Sequence, residues 1–515
     1  MILTLNEKYL AFPVNPHASR KKICFYEEGK LIYELDCRLD NLAPTFTAYA
    51  EMTPFLGKTV ELRVNPEIEL KVRPVPAMEL PGLFEEPFRP QIHFTTPNGW
   101  NNDPNGLIRY GGEYHLFYQY NPCSPQWDNM HWGHAVSKDL LHWEHLDTAL
   151  YPDEDGMMYS GSAIEDRDNR SGLGDGTRPP MLIYYTAAAN TLLSKGKKYT
   201  QRIAVCDGRR IVKCGGAPAV DHIVHANRDP KVVWVEELGR YVMALYLTEN
   251  KYRMLSSEDL VHWDLFTDLE LPGDRECPDL YPLTCDGEKK WIFCGASDIY
   301  AVGSFTEKGF VFESEPCPLQ YSPVSYAAQS YSGTEDEGRV VRVAWHRLSI
   351  PEGRFSQQMG LPVEMGLSRV EGRYYLSALP LRELNTLRRD GETFSDRSLA
   401  TPLRLDLGAG PADLDLRFSG KKKSRISIFG CTLVLDPEAN LLTCERWKMP
   451  LSATGGDFSL RIVADRASLE LFADGGRFCM TVPHLCDYNL PWAEITSGEG
   501  ETLSGAWYRL ASVYR

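Results

Sequence analysis

No stretch of this 515-residue sequence is apolar over the roughly 20 residues that a membrane-spanning helix needs. Its first residues, MILTLNEKYLAFPVNP, lack the basic start and the apolar core of a secretory signal. Basic residues are also in deficit, because 55 Lys and Arg face 70 Asp and Glu, a net charge of −15. Such a field repels phosphate backbones and anionic lipid. We therefore expect a cytoplasmic protein that binds neither nucleic acid nor membranes.

Paired cysteine motifs are missing as well. The 13 cysteines are scattered and odd in number, without the C-x-x-C spacing of a zinc or redox site. We expect most of them to be buried thiols in a reducing compartment. Two histidine pairs, His131 with His134 and His142 with His145, have metal-like spacing, but positions i and i+3 of a strand point to opposite faces. The sequence thus predicts no metal and no organic cofactor.

Long stretches with helical periodicity are scarce, and short alternating runs such as YHLFYQY (114–120) recur throughout. One eight-residue unit occurs twice, as SKDLLHWE at Ser137–Glu144 and as SEDLVHWD at Ser257–Asp264. A repeated turn-plus-strand unit favours a radially repeated β architecture, with the copies two blades apart. Two copies alone leave open a chance convergence on one short turn.

Changes in composition divide the chain into three parts. Residues 1–88 contain short strand-like runs and end in the Pro-rich stretch RPVPAMELPGLFEEPFRP, which is typical of a linker. A polar segment at residues 387–402, LRRDGETFSDRSLATP, precedes another β region. We predict a small β-rich N-terminal module at 1–88, a propeller at 89–388 with room for about five four-stranded blades, and a β-sandwich at 389–515.

Three acids are each followed within two residues by a proline. They are Asp103 in WNNDPNG, Asp229 in NRDP and Glu276 in ECPD. Asp103 could merely close an Asx turn, and Asp229 could be half of a surface pair with Arg228. A propeller would instead gather all three loops at one end of its axis.

Seven motifs, in order, resemble those of glycoside hydrolase family 32, which contains invertases, fructan β-fructosidases, inulinases and levanases. They are WNNDPNG, FYQYNP, WDNMHWGHAVSKDLLHW, YSGSA, NRDPKVVW, ECPDLYPL and SYAAQSY. The resemblance runs from Phe94 to about Leu384, and LRIVADRASLELFADGG resembles the family's C-terminal β-sandwich. Residues 1–88 weakly resemble an N-terminal module of some bacterial members. The resemblance implies an all-β protein with a five-bladed propeller, a site in its axial funnel, and a C-terminal sandwich.

The resemblance also implies catalytic roles in retaining hydrolysis of β-D-fructofuranosides. Asp103 would be the nucleophile, Glu276 the general acid/base and Asp229 the transition-state stabiliser, with about 5–5.5 Å between the carboxyls of Asp103 and Glu276. The acid must start protonated, so we expect burial and neighbouring acids to raise the pKa of Glu276 and Arg228 to keep Asp229 ionised. Arg275 would lower the pKa of Glu276 if its side chain points inward.

Seven further residues are expected to bind the sugar. Asn102, Gln119 and Ser160 offer amide and hydroxyl groups for its hydroxyls, and Trp127 and Trp345 offer apolar walls, although plain packing of both indoles stays an alternative. Tyr159 stands where the family often has Phe or Trp, and Arg228 accompanies Asp229.

The predicted activity is exo-acting release of terminal fructose from sucrose, kestose and short fructans. Three alternatives remain open: fructosyl transfer at the same site, a non-catalytic fructan-binding protein, and an inverting arabinoside hydrolase. A homo-oligomer is also left open. If the N-terminal module lies over the mouth of the funnel, we expect it to restrict substrate length.

Overall fold

The computed structural model describes residues 1–334, 337–351, 353–453 and 457–514. Regular structure in these residues is almost entirely β, as the sequence predicts, and the only helical pieces described are short 3₁₀ turns, for example at Arg382–Leu387. Among the same residues no helix has the length and apolar character needed to cross a membrane.

The N-terminal module consists of two small antiparallel sheets. Its strands are β1 (Ile2–Thr4), β2 (Tyr9–Val14), β3 (Lys21–Glu27), β4 (Lys30–Cys37), β5 (Phe46–Glu51), β6 (Thr59–Asn65) and β7 (Arg73–Val75), with a 3₁₀ turn at Thr53–Phe55. One sheet has the order β1-β6-β3-β4 and the other β5-β2-β7. Apolar residues of the two sheets, including Phe12, Phe25 and Leu35, share one buried core.

Within the described residues, five sheets follow one another between Gly99 and Pro380. The first sheet contains β8 (Gly99–Tyr110), β9 (Glu113–Asn121), β10 (His131–Ser137), β11 (Trp143–His145) and the later strand β27 (Phe355–Ser356). The second contains β12 (Met157–Glu165), β13 (Met181–Ala188), β14 (Thr200–Cys206) and β15 (Ile211–Lys213), and the third contains β16 (Arg228–Val235), β17 (Arg240–Thr248), β18 (Lys251–Ser257) and β19 (Asp264–Glu270). The fourth contains β20 (Asp279–Cys285), β21 (Glu288–Cys294), β22 (Ile299–Thr306), β23 (Gly309–Phe312) and β24 (Cys317–Pro318), and the fifth contains β25 (Ser325–Ser330), β26 (Val341–His346), β28 (Gln358–Met359), β29 (Val363–Val370) and β30 (Arg373–Pro380).

The first strands of these sheets form a closed ring. Strands β8, β12, β16, β20 and β25 contact one another in turn, and β25 contacts β8 again. The strand β27 lies late in the chain and pairs in parallel with the start of β8, which ties the last part of the ring to its beginning. This arrangement is the predicted β-propeller.

The repeated sequence unit forms the same turn in the first and third sheets. Asp139 accepts hydrogen bonds from the amides of Leu141 (3.0 Å) and His142 (2.8 Å). Asp259 binds the corresponding amides at 2.9 and 2.8 Å. The repeat is therefore structural, and its copies lie two sheets apart as predicted.

The C-terminal region is a sandwich of two six-stranded sheets among the described residues. Its strands are β31 (Arg388–Ser398), β32 (Leu403–Asp406), β33 (Ala412–Ser419), β34 (Ser424–Ile428), β35 (Cys431–Asp436), β36 (Leu441–Cys444), β37 (Trp447–Pro450), β38 (Asp457–Asp465), β39 (Ser468–Ala473), β40 (Phe478–Pro483), β41 (Trp492–Thr496) and β42 (Thr502–Leu510). Alternating Leu, Ile and Val side chains from both sheets fill the space between them.

A buried charged cluster joins the propeller to the sandwich. His93 Nδ1 lies 2.7 Å from Asp465 Oδ2, and His93 Nε2 lies 2.6 Å from Glu470 Oε1. Burial alone would lower the pKa of His93, but its hydrogen bonds to the two carboxylates and their charges outweigh that effect and raise the pKa to about 9. The cluster therefore holds a protonated imidazole between two domains.

This cluster makes stability dependent on pH. Since the pKa of His93 is about 9 in the folded chain and 6.5 in the reference state, its contribution is complete below pH 6.5 and is lost as the pH rises through 9. We expect His93→Gln to lower the free energy of unfolding at pH 6.5 by roughly 3–5 kcal/mol, because it leaves buried carboxylates uncompensated. Denaturant unfolding of both proteins from pH 6 to 9.5 checks this, and a difference that stays constant over that range would contradict it.

Candidate active site

The three candidate acids lie where the first strands of the sheets begin. The pairing register shifts between Asn101 and Pro104 in β8 and between Arg228 and Lys231 in β16, so the acids at 103 and 229 sit at bulges. Proline explains these bulges because it has no N–H to donate to a neighbouring strand. Asp229 and Glu276 have left-handed backbone angles, with φ of 65° and 59°. Such conformations cost about 1–3 kcal/mol each and cluster at functional sites.

One thiol links two of the acids. Cys277 Sγ lies 3.5 Å from Asp103 Oδ2 and 3.5 Å from Asp229 Oδ2. The backbone N–H of Cys277 also donates to Asp229 Oδ2 at 3.1 Å. The same oxygen, Asp103 Oδ2, also accepts a hydrogen bond of 2.6 Å from Ser160 Oγ. The residues of three separate sheets thus meet around Asp103.

Arginine connects the third acid to this group. Arg228 Nη2 donates to Glu276 Oε1 at 2.7 Å, and Arg228 Nε lies 3.6 Å from Asp229 Oδ2. The second oxygen of Glu276 accepts a very short hydrogen bond from the hydroxyl of Tyr326. The structure therefore brings together the three acids that the sequence singles out. The predicted separation of the Asp103 and Glu276 carboxyls stays a prediction.

The expected order of pKa values is wrong in two respects. Burial raises the pKa of Glu276, but the Tyr326 hydrogen bond and the charges of Arg228 and Arg275 outweigh it, so the net shift is downward. The predicted influence of Arg275 is confirmed, although its side chain is exposed. Burial raises the pKa of Asp229 to about 7 in spite of Arg228. Arg228 thus contributes to the lowered pKa of Glu276 but does not offset the effect of burial on Asp229.

The nucleophile candidate also carries a raised pKa. Burial is the largest cause for Asp103, the charge of Glu276 adds to it, and hydrogen bonds from Ser160 and Asn102 oppose it. Closely spaced like charges cannot all ionise at ordinary cost. The site therefore combines two aspartates whose pKa values are raised with a Glu276 whose pKa is lowered.

The predicted sugar-binding residues fall into three groups. Asn102 and Ser160 touch Asp103 directly, with Asn102 Nδ2 3.3 Å from Asp103 Oδ1. Gln119 is buried on β9 and donates to the carbonyl of Met158 at 2.9 Å. The remaining predicted residues border the site: Trp127 is 47% exposed and packs edge-on against Tyr159, Trp345 packs against Tyr326, and Arg228 binds Glu276.

Three residues at the site have no predicted role. Cys277 bridges two acids, Tyr326 binds Glu276, and Trp100 Nε1 donates to Asn102 Oδ1 at 2.9 Å. All three lie inside motifs that the sequence displays, ECPD, SYAAQSY and WNNDPNG. Their positions inside these motifs could have marked them as site residues. The contacts of Cys277 with Asp103 and Asp229, and of Tyr326 with Glu276, could not be predicted, because they join segments that are far apart in the chain.

Two side-chain groups among the described residues could hold a metal ion, and neither contains an acid of this site. They are His93 with His346 and Glu470, and Cys431 with Glu445 and His484. The pair His131 and His134 does face opposite ways, since His131 Nε2 contacts Tyr33 and His134 Nε2 contacts His115. The absence of a metal and of a cofactor from the reaction stays a prediction.

Family models match most of the chain. Residues 93–377 match the model described as the N-terminal domain of glycosyl hydrolases family 32, and residues 390–482 match the C-terminal one. A levanase of Bacillus subtilis is 30% identical over 476 residues, which cover 81% of this chain and 69% of that protein. The N-terminal module lies outside both family models.

Solved structures show the same fold. The exo-inulinase of Aspergillus awamori superposes with a TM-score of 0.75 and 26% identity, over 84% of this chain and all of that one. A variant of a Bombyx mori β-fructofuranosidase, solved in complex with sucrose, gives a TM-score of 0.65 and 25% identity, over 83% of this chain and 95% of the other.

The raised pKa of Asp229 predicts a stabilising substitution. Because burial favours the neutral acid, the ionised carboxylate destabilises the fold increasingly as the pH rises from 3.8 through 7. We expect Asp229→Asn, which stays neutral, to raise the free energy of unfolding at pH 8 by roughly 0.5–2 kcal/mol and to have little effect at pH 4. Denaturant unfolding at both values checks this, with the exposed Asp264→Asn as control. Lower stability of Asp229→Asn at pH 8 would contradict it.

Proposed function

The chain belongs to glycosyl hydrolase family 32, and we propose that it is an exo-acting, retaining β-fructosidase that releases terminal fructose from sucrose and short fructo-oligosaccharides. The observation that carries this proposal is the meeting of Asp103, Asp229 and Glu276 at one end of the propeller ring, linked through Cys277 and Arg228. Two carboxyl groups beside one sugar, one as nucleophile and one as acid, are what retaining hydrolysis requires.

In the first step, an oxygen of Asp103 attacks C2 of the fructosyl unit. The bond between C2 and the glycosidic oxygen breaks, and Glu276 donates its proton to that oxygen as the leaving sugar departs. The product is a fructosyl ester on Asp103. The hydrogen bond from Ser160 to Asp103 Oδ2 and the amide of Asn102 near Oδ1 hold this carboxylate in one orientation.

In the second step, water replaces the leaving sugar. Glu276, now ionised, takes a proton from the water as its oxygen attacks C2, and the ester bond to Asp103 breaks. Arg228 and Tyr326 favour the ionised form of Glu276, which suits its role as base. The same contacts oppose its role as acid, which requires the protonated form.

Asp229 is the proposed transition-state stabiliser. It is 6% exposed, and its carboxylate accepts a hydrogen bond from the backbone N–H of Cys277. Its own backbone N–H donates to Thr186 Oγ1 at 3.0 Å. We propose that it binds hydroxyls of the fructosyl ring and strengthens those contacts as positive charge develops at C2.

The relatives support this choice of substrate class. They carry the names levanase, exo-inulinase and invertase, and the Bombyx mori structure contains sucrose. The cytoplasmic location and a homo-oligomeric state stay predictions, and the Aspergillus relatives are named as extracellular proteins. Fractionation of the source cells and light scattering of the purified chain would test these two points.

We expect Asp103→Asn and Glu276→Gln each to reduce fructose release from sucrose and 1-kestose by about 10³-fold or more, because each removes one half of the acid–nucleophile pair. Fructose release from sucrose, 1-kestose, inulin and levan measures this and ranks the substrates. The control Asp264→Asn removes an exposed carboxylate of β19 and should leave the rates unchanged. Near-normal activity in either active-site variant would contradict the assigned roles.

The charges around Glu276 predict the pH profile. The alkaline limb of kcat/KM reports the general acid of the free enzyme. Since Arg228 and Arg275 lower the pKa of Glu276, removing either cation should move this limb to higher pH, further for Arg228→Gln than for Arg275→Gln. Sucrose hydrolysis from pH 3 to 8 measures both shifts, with the exposed Arg373→Gln as control. A shift to lower pH would contradict the proposed acid.

A further inference from the structure

A cleft of about 1380 Å³ separates the N-terminal module from the propeller. One wall comes from the module and includes His17, Phe46 and Thr47, and the opposite wall includes residues 348–351, Gly353, Arg354, Ser356 and Gln357. The volume exceeds the roughly 300–1,000 Å³ of a pocket that holds one small molecule. The cleft therefore has room for more than one sugar unit.

Aromatic contacts lead from this cleft to the general acid. Trp100 lines the cleft, packs edge-on against Trp345 at 5.9 Å, and Trp345 packs against Tyr326 at 6.2 Å. Tyr326 in turn hydrogen-bonds Glu276. In the proposed reaction Glu276 protonates the oxygen of the leaving group, so the leaving group must lie on the side of the acid. The cleft borders the site through Trp100, whose Nε1 donates to Asn102 Oδ1 beside Asp103.

Hydrogen bonds hold the described residues of the opposite wall. Gln357 Oε1 accepts hydrogen bonds from Trp345 Nε1 (3.1 Å) and from the backbone N–H of Leu348 (2.9 Å). Gln357 Nε2 donates to the carbonyl of Leu348 at 2.7 Å. This wall also reaches the linker, because Arg354 Nη2 donates to the carbonyl of Pro81 at 2.9 Å. A preformed wall reduces the ordering cost of binding.

The module also fixes the propeller loop that carries Trp127. Asn129 of that loop exchanges two hydrogen bonds of 2.7 Å with the backbone of Asp36, and Gln126 Nε2 donates to the carbonyl of Pro16 at 3.2 Å. Arg20 of the module pairs with Asp128 at 3.0 Å. The module thus contacts the loop that carries Trp127 and also forms one wall of the cleft.

From these observations we infer that the cleft is an extended subsite, which binds the fructosyl units of the leaving chain beyond the one adjoining the scissile bond. The inference rests on the proposed function and assigns the module a role in substrate choice. Phe46 is half-buried, packs against the core of the module and lines the cleft with the part of its side chain that stays exposed, and Thr45, Thr47 and Gln126 add polar groups among the lining residues. The expected preference is for short oligosaccharides over sucrose.

Two substitutions in the module wall test the subsite in kinetics with sucrose, 1-kestose and nystose. We expect Phe46→Ala to lower kcat/KM for nystose about tenfold, the loss expected for one aromatic contact, and to change kcat/KM for sucrose less than twofold. Thr47→Trp should fill the cleft and have the same selective effect. Leu42→Ala, at a side chain of the same module that is 96% exposed and outside the cleft, is the matched control. Circular dichroism and unfolding midpoints show that each variant is folded.

A binding experiment separates this inference from the proposed function. Calorimetry with nystose and sucrose uses the full chain carrying Glu276→Gln, with and without Phe46→Ala. Weaker nystose binding with unchanged sucrose binding in the double variant would support the subsite. If the wild type hydrolyses neither sugar, that binding result still supports the subsite, and only the proposed function fails. Equal nystose binding in both proteins, no nystose binding, or an unchanged nystose-to-sucrose ratio in the kinetics would overturn the inference.

Discussion

The chemistry of this site depends on the placement of one arginine among three acids. Burial and mutual repulsion raise the pKa values of Asp103 and Asp229, whereas the guanidinium of Arg228, 2.7 Å from Glu276, helps to lower that of the third acid. The site therefore opposes raised pKa values of the two aspartates to a lowered pKa of Glu276. The lowered pKa favours the proposed role of Glu276 as base and opposes its proposed role as acid.

The propeller supplies this placement by a simple device. Its inner strands contact one another in a ring, and in β8 and β16 the proline after the acid coincides with a shift of the pairing register. Asp103 and Asp229 lie at these shifts. The cluster of His93, Asp465 and Glu470, remote from the site, connects the propeller to the sandwich through two buried hydrogen bonds.

Much of this arrangement could be predicted from the sequence, because the motifs are local. The strand-and-turn pattern, the repeat at Asp139 and Asp259, and the three acids beside prolines are all legible in short segments. The pKa values of Glu276 and Asp229 were predicted wrongly, since they depend on which oxygen Arg228 reaches and on a hydroxyl from Tyr326 at a distant point of the chain. The cleft beside Trp100 could not be predicted either, because its lining residues come from six separate segments of the chain.

In the proposed reaction, Asp103 attacks one face of the sugar as nucleophile and Glu276 acts as acid on the other, so the configuration at C2 is retained. The most direct test is nuclear magnetic resonance of the products formed from sucrose by the wild-type chain in aqueous methanol. Methanol then captures the fructosyl unit in place of water, and the methyl glycoside cannot change its anomeric form. Methyl β-D-fructofuranoside is the product that the account predicts. The α anomer would show a single displacement and would contradict a covalent intermediate on Asp103.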